Sequence, residues 1–314
     1  MCDYSRPKNL LIFYGWMNSF NSTQNGWNNE KVAKDMCKYD LIVLGDGIQL
    51  SSHGDYSNTT TIIERIQELK PSVKIFGYVT TNQTDTNWKA KVESWDNLEV
   101  DGIFMDECGY DYGNVSTNGR DAINAKVAYI HSLDYATSCF VNAWNLDHIF
   151  GTDNDASYPN STWNDCLHDT ILCEDDWFLL ESFPINGTTY RSKSETIIRA
   201  ENALLNRSIY GVNMAAVSVI ANSANVSLFD FSFTCSLLFS LDAHGSSDTN
   251  YGASSATVKY FTRPDVSKIG DVYSRDPVVK EDGIDSDKLL RYTNMAELYI
   301  DFSDDQESSD ITIF

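Results

Sequence analysis

Eight short apolar runs recur along the chain, and each ends in a polar or glycine-bearing tip. They are LLIFYGW (10–16), LIVLGDG (41–47), KIFGYVT (74–80), GIFMDE (102–107), TSCFVNAW (137–144), FLLESFP (178–184), YGVNMAAVS (210–218) and SLLFSLDAHG (236–245). Runs this short, continuous in apolar residues and bounded by turn residues, read as strands buried on both faces. The first half of the last run also fits the end of a preceding helix. Between the runs, apolar residues return at helical spacing over 29–39, 59–70, about 86–97, 119–134 and 192–206. The second of these carries Ile62, Ile63, Ile66 and Leu69 and stops at Pro71; the fourth places Ile123, Val127 and Ile130 on one face.

Strand starts at 10, 41, 74, 102, 137, 178, 210 and 236 lie 26 to 41 residues apart. Eight strands alternating with helices at that spacing predict a (β/α)8 barrel, the TIM-barrel class of α/β proteins. An open doubly wound sheet shares the alternation. However, no GxGxxG or P-loop follows the first strand, and polar residues collect at strand ends around the whole set. Residues 265–314 change character: KLLRYTN (288–294) and AELYIDF (296–302) alternate at period two, so a small β appendage is expected on a barrel formed by 1–264. The end, DFSDDQESSDITIF, reads as an acidic edge.

At 314 residues and 42% hydrophobic content, the chain is long enough for one barrel-sized domain. Its 23 Lys and Arg stand against 45 Asp and Glu, a formal charge of −22 with no basic run, which argues against a nucleic-acid partner. A field of that sign favours cationic or neutral substrates over anionic ones and also keeps the surface soluble. No segment reaches the ~18–20 apolar residues of a membrane span, so no membrane insertion is expected. Met1-Cys2-Asp3-Tyr4 does not read as a signal peptide, so export would follow removal of one or use another route. Eight Asn-x-Ser/Thr sequons, at Asn21, Asn58, Asn82, Asn114, Asn160, Asn186, Asn206 and Asn225, point to an extracellular or particle-associated (virion or surface-layer) glycoprotein. Oligomeric state is left open.

Seven cysteines include no CxxC pair and no histidine at zinc spacing, so no metal and no cofactor are expected. Cys139 and Cys235 read as core thiols. The polar stretch 145–177 is long for a loop inside a domain. It is expected to roof the cleft, with Cys166 bridged to Cys173 to limit its entropy. Asp153-Asn154-Asp155 hints at calcium, but EF-hand spacing does not follow.

In such a barrel the chemistry sits at the carboxyl ends of the strands. The tips and adjoining loops supply Tyr14, Trp16, Asp46, Tyr78, Asp106, Glu107, Tyr110, Asn142, Trp144, Glu181, Asp242 and His244. These are carboxylates and aromatics, without a Ser-His-Asp grouping, phosphate-cradling glycines or clustered histidines. The run Ile103-Phe104-Met105 ends in two adjacent acids, Asp106 and Glu107, costly at a buried strand tip unless solvated or functional. Two carboxylates across an aromatic-lined cleft are what glycoside hydrolysis needs, and aromatic faces stack on sugar rings. Asp106, with Gly109, Tyr110 and Tyr112 close by, is the expected nucleophile. Glu181, flanked by Leu179, Leu180 and Phe183, is the expected acid/base, and retention the expected outcome. Tyr14, Trp16, Asp46, Tyr78, Tyr110, Asn142, Trp144 and Asp242 form the expected substrate-binding set. Blander readings exist for several: Glu181 paired with Arg191 or Arg199, Asp46 as a turn residue, Trp16 and Trp144 as caps on the core, and Asp242 with His244 as a pair closing the barrel.

GYVTT followed by a short helix and then DGIFMDE resembles the barrel glycosidases of the spherulin-4 and endo-α-1,4-polygalactosaminidase group. The resemblance spans roughly residues 10–245. Its specific matches are Gly77-Tyr78-Val79-Thr80 and Asp101 to Glu107, with a looser one at Glu181. It implies that the strand-four Asp and strand-six Glu, here Asp106 and Glu181, form the catalytic pair, with Glu107 as a neighbour that orients or tunes them. It also implies an endo-acting glycoside hydrolase on a galactosaminoglycan-like polysaccharide. RYTNMAELYIDF resembles the small β module that ends many barrel glycosidases, departing from it at Met295-Ala296, where a glycine is usual. A chitinase-like DGxDxDxE pattern is not met, because position 104 is Phe and Glu107 directly follows Asp106. The competing readings are a catalytically idle carbohydrate-binding or structural barrel of a surface layer or virus particle, and a glycan-acting enzyme of other linkage specificity.

Overall fold

The computed structural model describes residues 7–110, 119–151, 163–164, 167–187, 189–220, 226–248, 269–270, 278–279, 288–303 and 308–313. The predicted strands form in order: β1 (Lys8–Phe13), β2 (Leu41–Leu44), β3 (Lys74–Thr80), β4 (Gly102–Asp106), β5 (Ser138–Asn142) and β6 (Trp177–Leu180). A small hairpin, β7 (Ile185–Gly187) and β8 (Thr189–Tyr190), precedes β9 (Asn213–Ile220) and β10 (Ala243–Asp248). β1 to β6, β9 and β10 pair in parallel, and β10 closes on β1, so the eight make a TIM barrel.

Two one-turn pieces aside, α1 (Ser22–Asn25) and α6 (Asp147–Phe150), the helices are α2 (Asn29–Met36), α3 (Tyr56–Leu69), α4 (Asp85–Asp96), α5 (Gly119–Ile130), α7 (Lys193–Tyr210) and α8 (Val226–Leu238). Three of them, α2, α4 and α7, start on a side-chain cap: Asn28, Thr84 and Ser192 accept from the backbone N–H three residues on. Gly211, at φ 78°, ends α7 in the left-handed conformation that glycine adopts without a Cβ penalty.

Period-two alternation on doubly buried strands sorts side chains into two cores. Outward residues such as Ile42, Leu44, Ile103, Met105, Val141 and Leu180 meet the helices. Gly77 sits in this layer because Trp95 of α4 lies against it; a Cβ there would come within 2.2 Å of the indole. Inward residues fill the barrel: Phe76, Phe104, Phe140 and Trp177, from four successive strands, meet small Ala215 and Ala243 on β9 and β10. Phe140 makes edge contacts with Phe76 and Phe104 at 5.3 and 5.2 Å.

The amino-terminal rim follows its own rule. Asp40, Asp101, Asp176 and Asp242 immediately precede β2, β4, β6 and β10, and each accepts from a backbone N–H at the start of the preceding barrel strand. The donors are Asn9, Ile75, Cys139 and Met214, at 2.9, 2.9, 2.7 and 2.8 Å. Each acid is also paired, to Lys70, Lys74, His131 and Arg207 respectively.

That rule corrects the eighth strand. The segment expected to begin it at Ser236 ends α8 instead, and the strand starts at Ala243, so Asp242 lies at the amino-terminal rim, away from the site end. Its carboxylate holds the Met214 N–H and Arg207 rather than a substrate. His244 is fully buried within β10, and its Nε2 meets Ser232 Oγ at 2.7 Å. The helix was hard to recognise because α8 is apolar nearly all round, covered by the barrel on one side and a second sheet on the other.

That second sheet is antiparallel: β11 (Val278–Val279), β12 (Lys288–Tyr292), β13 (Ala296–Asp301) and β14 (Ser308–Ile313). β12 and β13 fall where the alternation placed them, and the acidic end supplies β14, which packs with β13 on α8. Phe302 meets Phe231 of α8 edge-on at 5.4 Å. Buried Arg291 donates to the Leu238 carbonyl at 2.6 Å and to Ser240 Oγ, fastening β12 to the end of α8. No helix among the described residues is long and apolar enough to cross a membrane.

Candidate active site

The alternation that fills the barrel also loads its mouth. Above inward Phe104, Phe140 and Leu179, the next inward positions are Asp106, Asn142 and Glu181. Above Ile12, Phe76 and Val217 come Tyr14, Tyr78 and Val219. The resulting cleft of about 270 Å³ is walled by Tyr14, Asp106, Glu107, Asn142, Trp144 and Glu181 over an apolar floor.

Asp106 is held by three donors. Tyr78 Oη reaches Oδ2 at 2.7 Å, while the Glu107 N–H and Asn142 Nδ2 each reach Oδ1 at 2.8 Å. The same Asn142 Nδ2 lies 3.3 Å from Glu181 Oε2. Oxygens 2.8 and 3.3 Å from one nitrogen are no farther apart than those distances laid end to end, about 6 Å. Glu107 turns aside: its Oε2 accepts from Thr80 Oγ1, and the Thr81 hydroxyl donates to its carbonyl. The residue after each tip acid is left-handed, Glu107 at φ 59° and Ser182 at φ 53°. Non-glycine residues hold that conformation only where the surroundings impose it.

The surroundings of Glu181 include two arginines, though neither pairs with its carboxylate. Arg199 donates to the Glu181 carbonyl at 2.9 Å and Arg191 to the Ser182 carbonyl at 2.6 Å. Both guanidiniums lie over Trp144, Arg191 at 5.3 Å and Arg199 at 5.7 Å from the ring centre. Burial, and then the neighbouring Arg191, bring Arg199 down to about 10. Tyr14 and Tyr78 meet edge-on at 5.2 Å. Burial, and then the charge of Asp106, push both phenols up, Glu181 adding to the effect at Tyr14.

Of the residues expected at the site, Tyr14, Asp106, Glu107, Asn142, Trp144 and Glu181 line the cleft, and Tyr78 supports Asp106 from its edge. Trp16, Asp46 and Tyr110 do not line it. Trp16 is half exposed against His53, and Asp46 is tied to Lys91 and Gln49. Tyr110 packs outward against His148 and Trp163. Among the described residues of 145–177, His148, Gly151 and His168 are held together by buried Arg120, which donates to the carbonyl of each. Tyr112, Asp153 to Asp155 and Cys166 lie outside the described residues, whereas Cys173 is an exposed free thiol. Thr80 and Thr81 were missed as site residues, although Thr80 pairs in register with Asp106 and ends the GYVT run.

No family model matches the chain, and no curated protein matches it in sequence. Solved structures share its barrel at low identity. A GH5-4 broad specificity endoglucanase from Clostridium longisporum is 9% identical with a TM-score of 0.46, covering 80% of this chain and 89% of that one. A family 5 xyloglucanase from Paenibacillus pabuli is 10% identical at 0.45, covering 83% and 94%. A malate synthase from Haloferax volcanii is also 10% identical, at 0.44, covering 84% and 74%. Glycosidases and a synthase thus stand side by side, and the barrel alone does not choose between chemistries.

Proposed function

We propose that the protein is a retaining glycoside hydrolase acting within an amino-sugar polysaccharide, with Asp106 as nucleophile and Glu181 as acid/base. The observation that carries this reading is the Asn142 amide shared between the two carboxylates across an open, aromatic-walled cleft. Facing oxygens no more than about 6 Å apart fit the short separation of retaining enzymes, about 5–5.5 Å, better than the 6.5–9.5 Å that leaves room for an attacking water. In the first step Asp106 bonds to the anomeric carbon as the glycosidic C–O bond breaks, and Glu181 gives its proton to the departing oxygen, so the rest of the chain leaves as an alcohol. In the second, Glu181 takes a proton from water, which displaces Asp106. Trp144, braced by two arginines, offers a ring face to a sugar.

The substrate class rests on the resemblance of GYVT and DGIFMDE to the polygalactosaminidase group and on the charge of −22, which suits a partly deacetylated, cationic chain. An extracellular or particle-associated setting belongs to the same proposal. Incubation with a panel of purified polysaccharides, including galactosaminoglycan before and after deacetylation, tests it by release of reducing ends. The anomeric configuration of the first product tests retention. A barrel that retained polysaccharide but released no reducing ends would be a binding module, and the proposal would fall.

A further inference from the structure

We propose that the amino-terminal rim of the barrel, beneath β5 and β6, binds a zinc-class divalent cation through His131, Cys139, Cys173 and Asp176. These residues are far from chain-local zinc spacing, which is why the sequence pattern hides them. His131 follows α5, Cys139 lies on β5, and Cys173 and Asp176 precede β6. A ring nitrogen of His131, the Cys139 thiol and a carboxylate oxygen of Asp176 all lie within 4.8 Å of one another. His131 Nε2 stands 3.1 Å from both Asp176 oxygens. The Cys173 N–H donates to Asp176 Oδ2 at 2.8 Å, which sets that residue's backbone beside the carboxylate; its thiol is not among the three clustered ligand atoms and would turn in as the fourth ligand.

The spacing suits a tetrahedral ion. Bonds of about 2.0–2.1 Å to nitrogen and oxygen set those two ligands roughly 3.3 Å apart, close to the present His131–Asp176 gap, and the Cys139 sulfur already lies within 4.8 Å of both. Imidazole, two sulfurs and one carboxylate form a donor set that favours zinc over magnesium or calcium. The ion would take the place of the hydrogen now shared by His131 and Asp176, and the cysteine protons would leave to solvent as thiolates form. The other three rim clamps point the same way: Asp40, Asp101 and Asp242 are each balanced by a lysine or arginine. Only Asp176 faces a histidine and cysteines instead. Cys173 is exposed and His131 partly exposed, so an entry path exists although Cys139 is fully buried.

The test uses the full chain, reduced and stripped with a chelator, then titrated with cobalt(II) and afterwards with zinc(II). The expected result is one cobalt per chain with a thiolate-to-cobalt charge-transfer band that zinc abolishes. His131→Ala and Cys139→Ser should remove the band, and Cys37→Ser should keep it. Because Cys139→Ser alters a buried site, a second measurement uses the unmodified protein: zinc should protect Cys173 from alkylation, read by peptide mass mapping. Absence of the band, its survival in His131→Ala, alkylation of Cys173 at equal rates with and without zinc, or recovery of Cys173 in a disulfide would each overturn the proposal.

Discussion

The two rims of this barrel use the same side-chain chemistry to opposite ends. At the amino-terminal rim, Asp40, Asp101 and Asp242 each bind a strand N–H and an adjacent lysine or arginine. At the carboxyl-terminal rim, Asp106 and Glu181 share one neutral amide, and among the described residues no lysine, arginine or histidine forms an ion pair with them or with Glu107. Acids neutralised by neighbours hold strands in register. Acids set together without an ion-pair partner have no such role in the fold, and on the proposed function they persist because chemistry uses them. On the proposed function, the difference separates carboxylates that hold the fold from carboxylates kept for chemistry.

The sharpest way to break that comparison is to neutralise the upper pair. Glu181→Gln should lower turnover by about 10²–10⁴-fold, the usual worth of a general acid/base, and Asp106→Asn by at least as much. Polysaccharide binding should survive in both, because the shape of each side chain is kept. Added azide should restore turnover in Asp106→Ala with an inverted product, because there a small anion can enter the space the carboxylate vacates and attack from the same face. Near-native rates in both variants would end the assignment and shift attention to Glu107.

Asn142 tests whether the two acids work as a pair. Asn142→Ala should cost about 10²-fold in kcat with little change in KM, because positioning errors near 1 Å carry that penalty. Asn142→Asp should cost more, by adding a third acid, and should recover in part as the pH is lowered. The lower rim should answer in the other currency, stability. Asp242→Asn leaves Arg207 without its partner and weakens the acceptor for the Met214 N–H. It should cost about 1–3 kcal/mol by chemical denaturation while kcat/KM on the same polysaccharide is unchanged. A loss of activity without a loss of stability would place Asp242 back among the site residues.

The barrel was legible because doubly buried strands leave continuous apolar runs, and their spacing counts the βα units. Asp106, Asn142 and Glu181 were legible for the same reason: each is the first polar residue at an inward position beyond an apolar run. Asp242 was misplaced because α8 lacks a polar face and merged with the strand after it. The Asp that precedes β2, β4 and β6 recurs in the sequence as DLIVL, DGIFM and DWFLL, and recognising it would have set DAHGS beside them. Trp16, Asp46 and Tyr110 sit in loops, where alternation no longer dictates direction, so their orientation depended on partners in other loops. The arginines bracing Trp144 were legible only as cations near Glu181, because their acceptors are backbone carbonyls that no side-chain pattern announces.

The smallest expected effect concerns Tyr78, whose hydroxyl donates to Asp106. Burial first, and then the Asp106 charge, raise its pKa, and Tyr14 is raised in the same way. A raised pKa keeps a phenol protonated to higher pH, so both hydroxyls remain donors across the range in which a glycosidase works, and neither supplies an alkaline limb to the pH profile. Tyr78→Phe removes one hydrogen bond to a charged group, about 1.5–3 kcal/mol if the bond tightens fully in the transition state and less if the ground state already enjoys it. The expected loss in kcat/KM is therefore about 10-fold, uniform across pH, with any alkaline limb left in place. Measuring kcat/KM against pH for the two proteins decides the matter. An alkaline limb present in the parent and displaced upward in Tyr78→Phe would mean that the phenol ionises within the working range and that the Asp106 carboxylate does not hold it protonated.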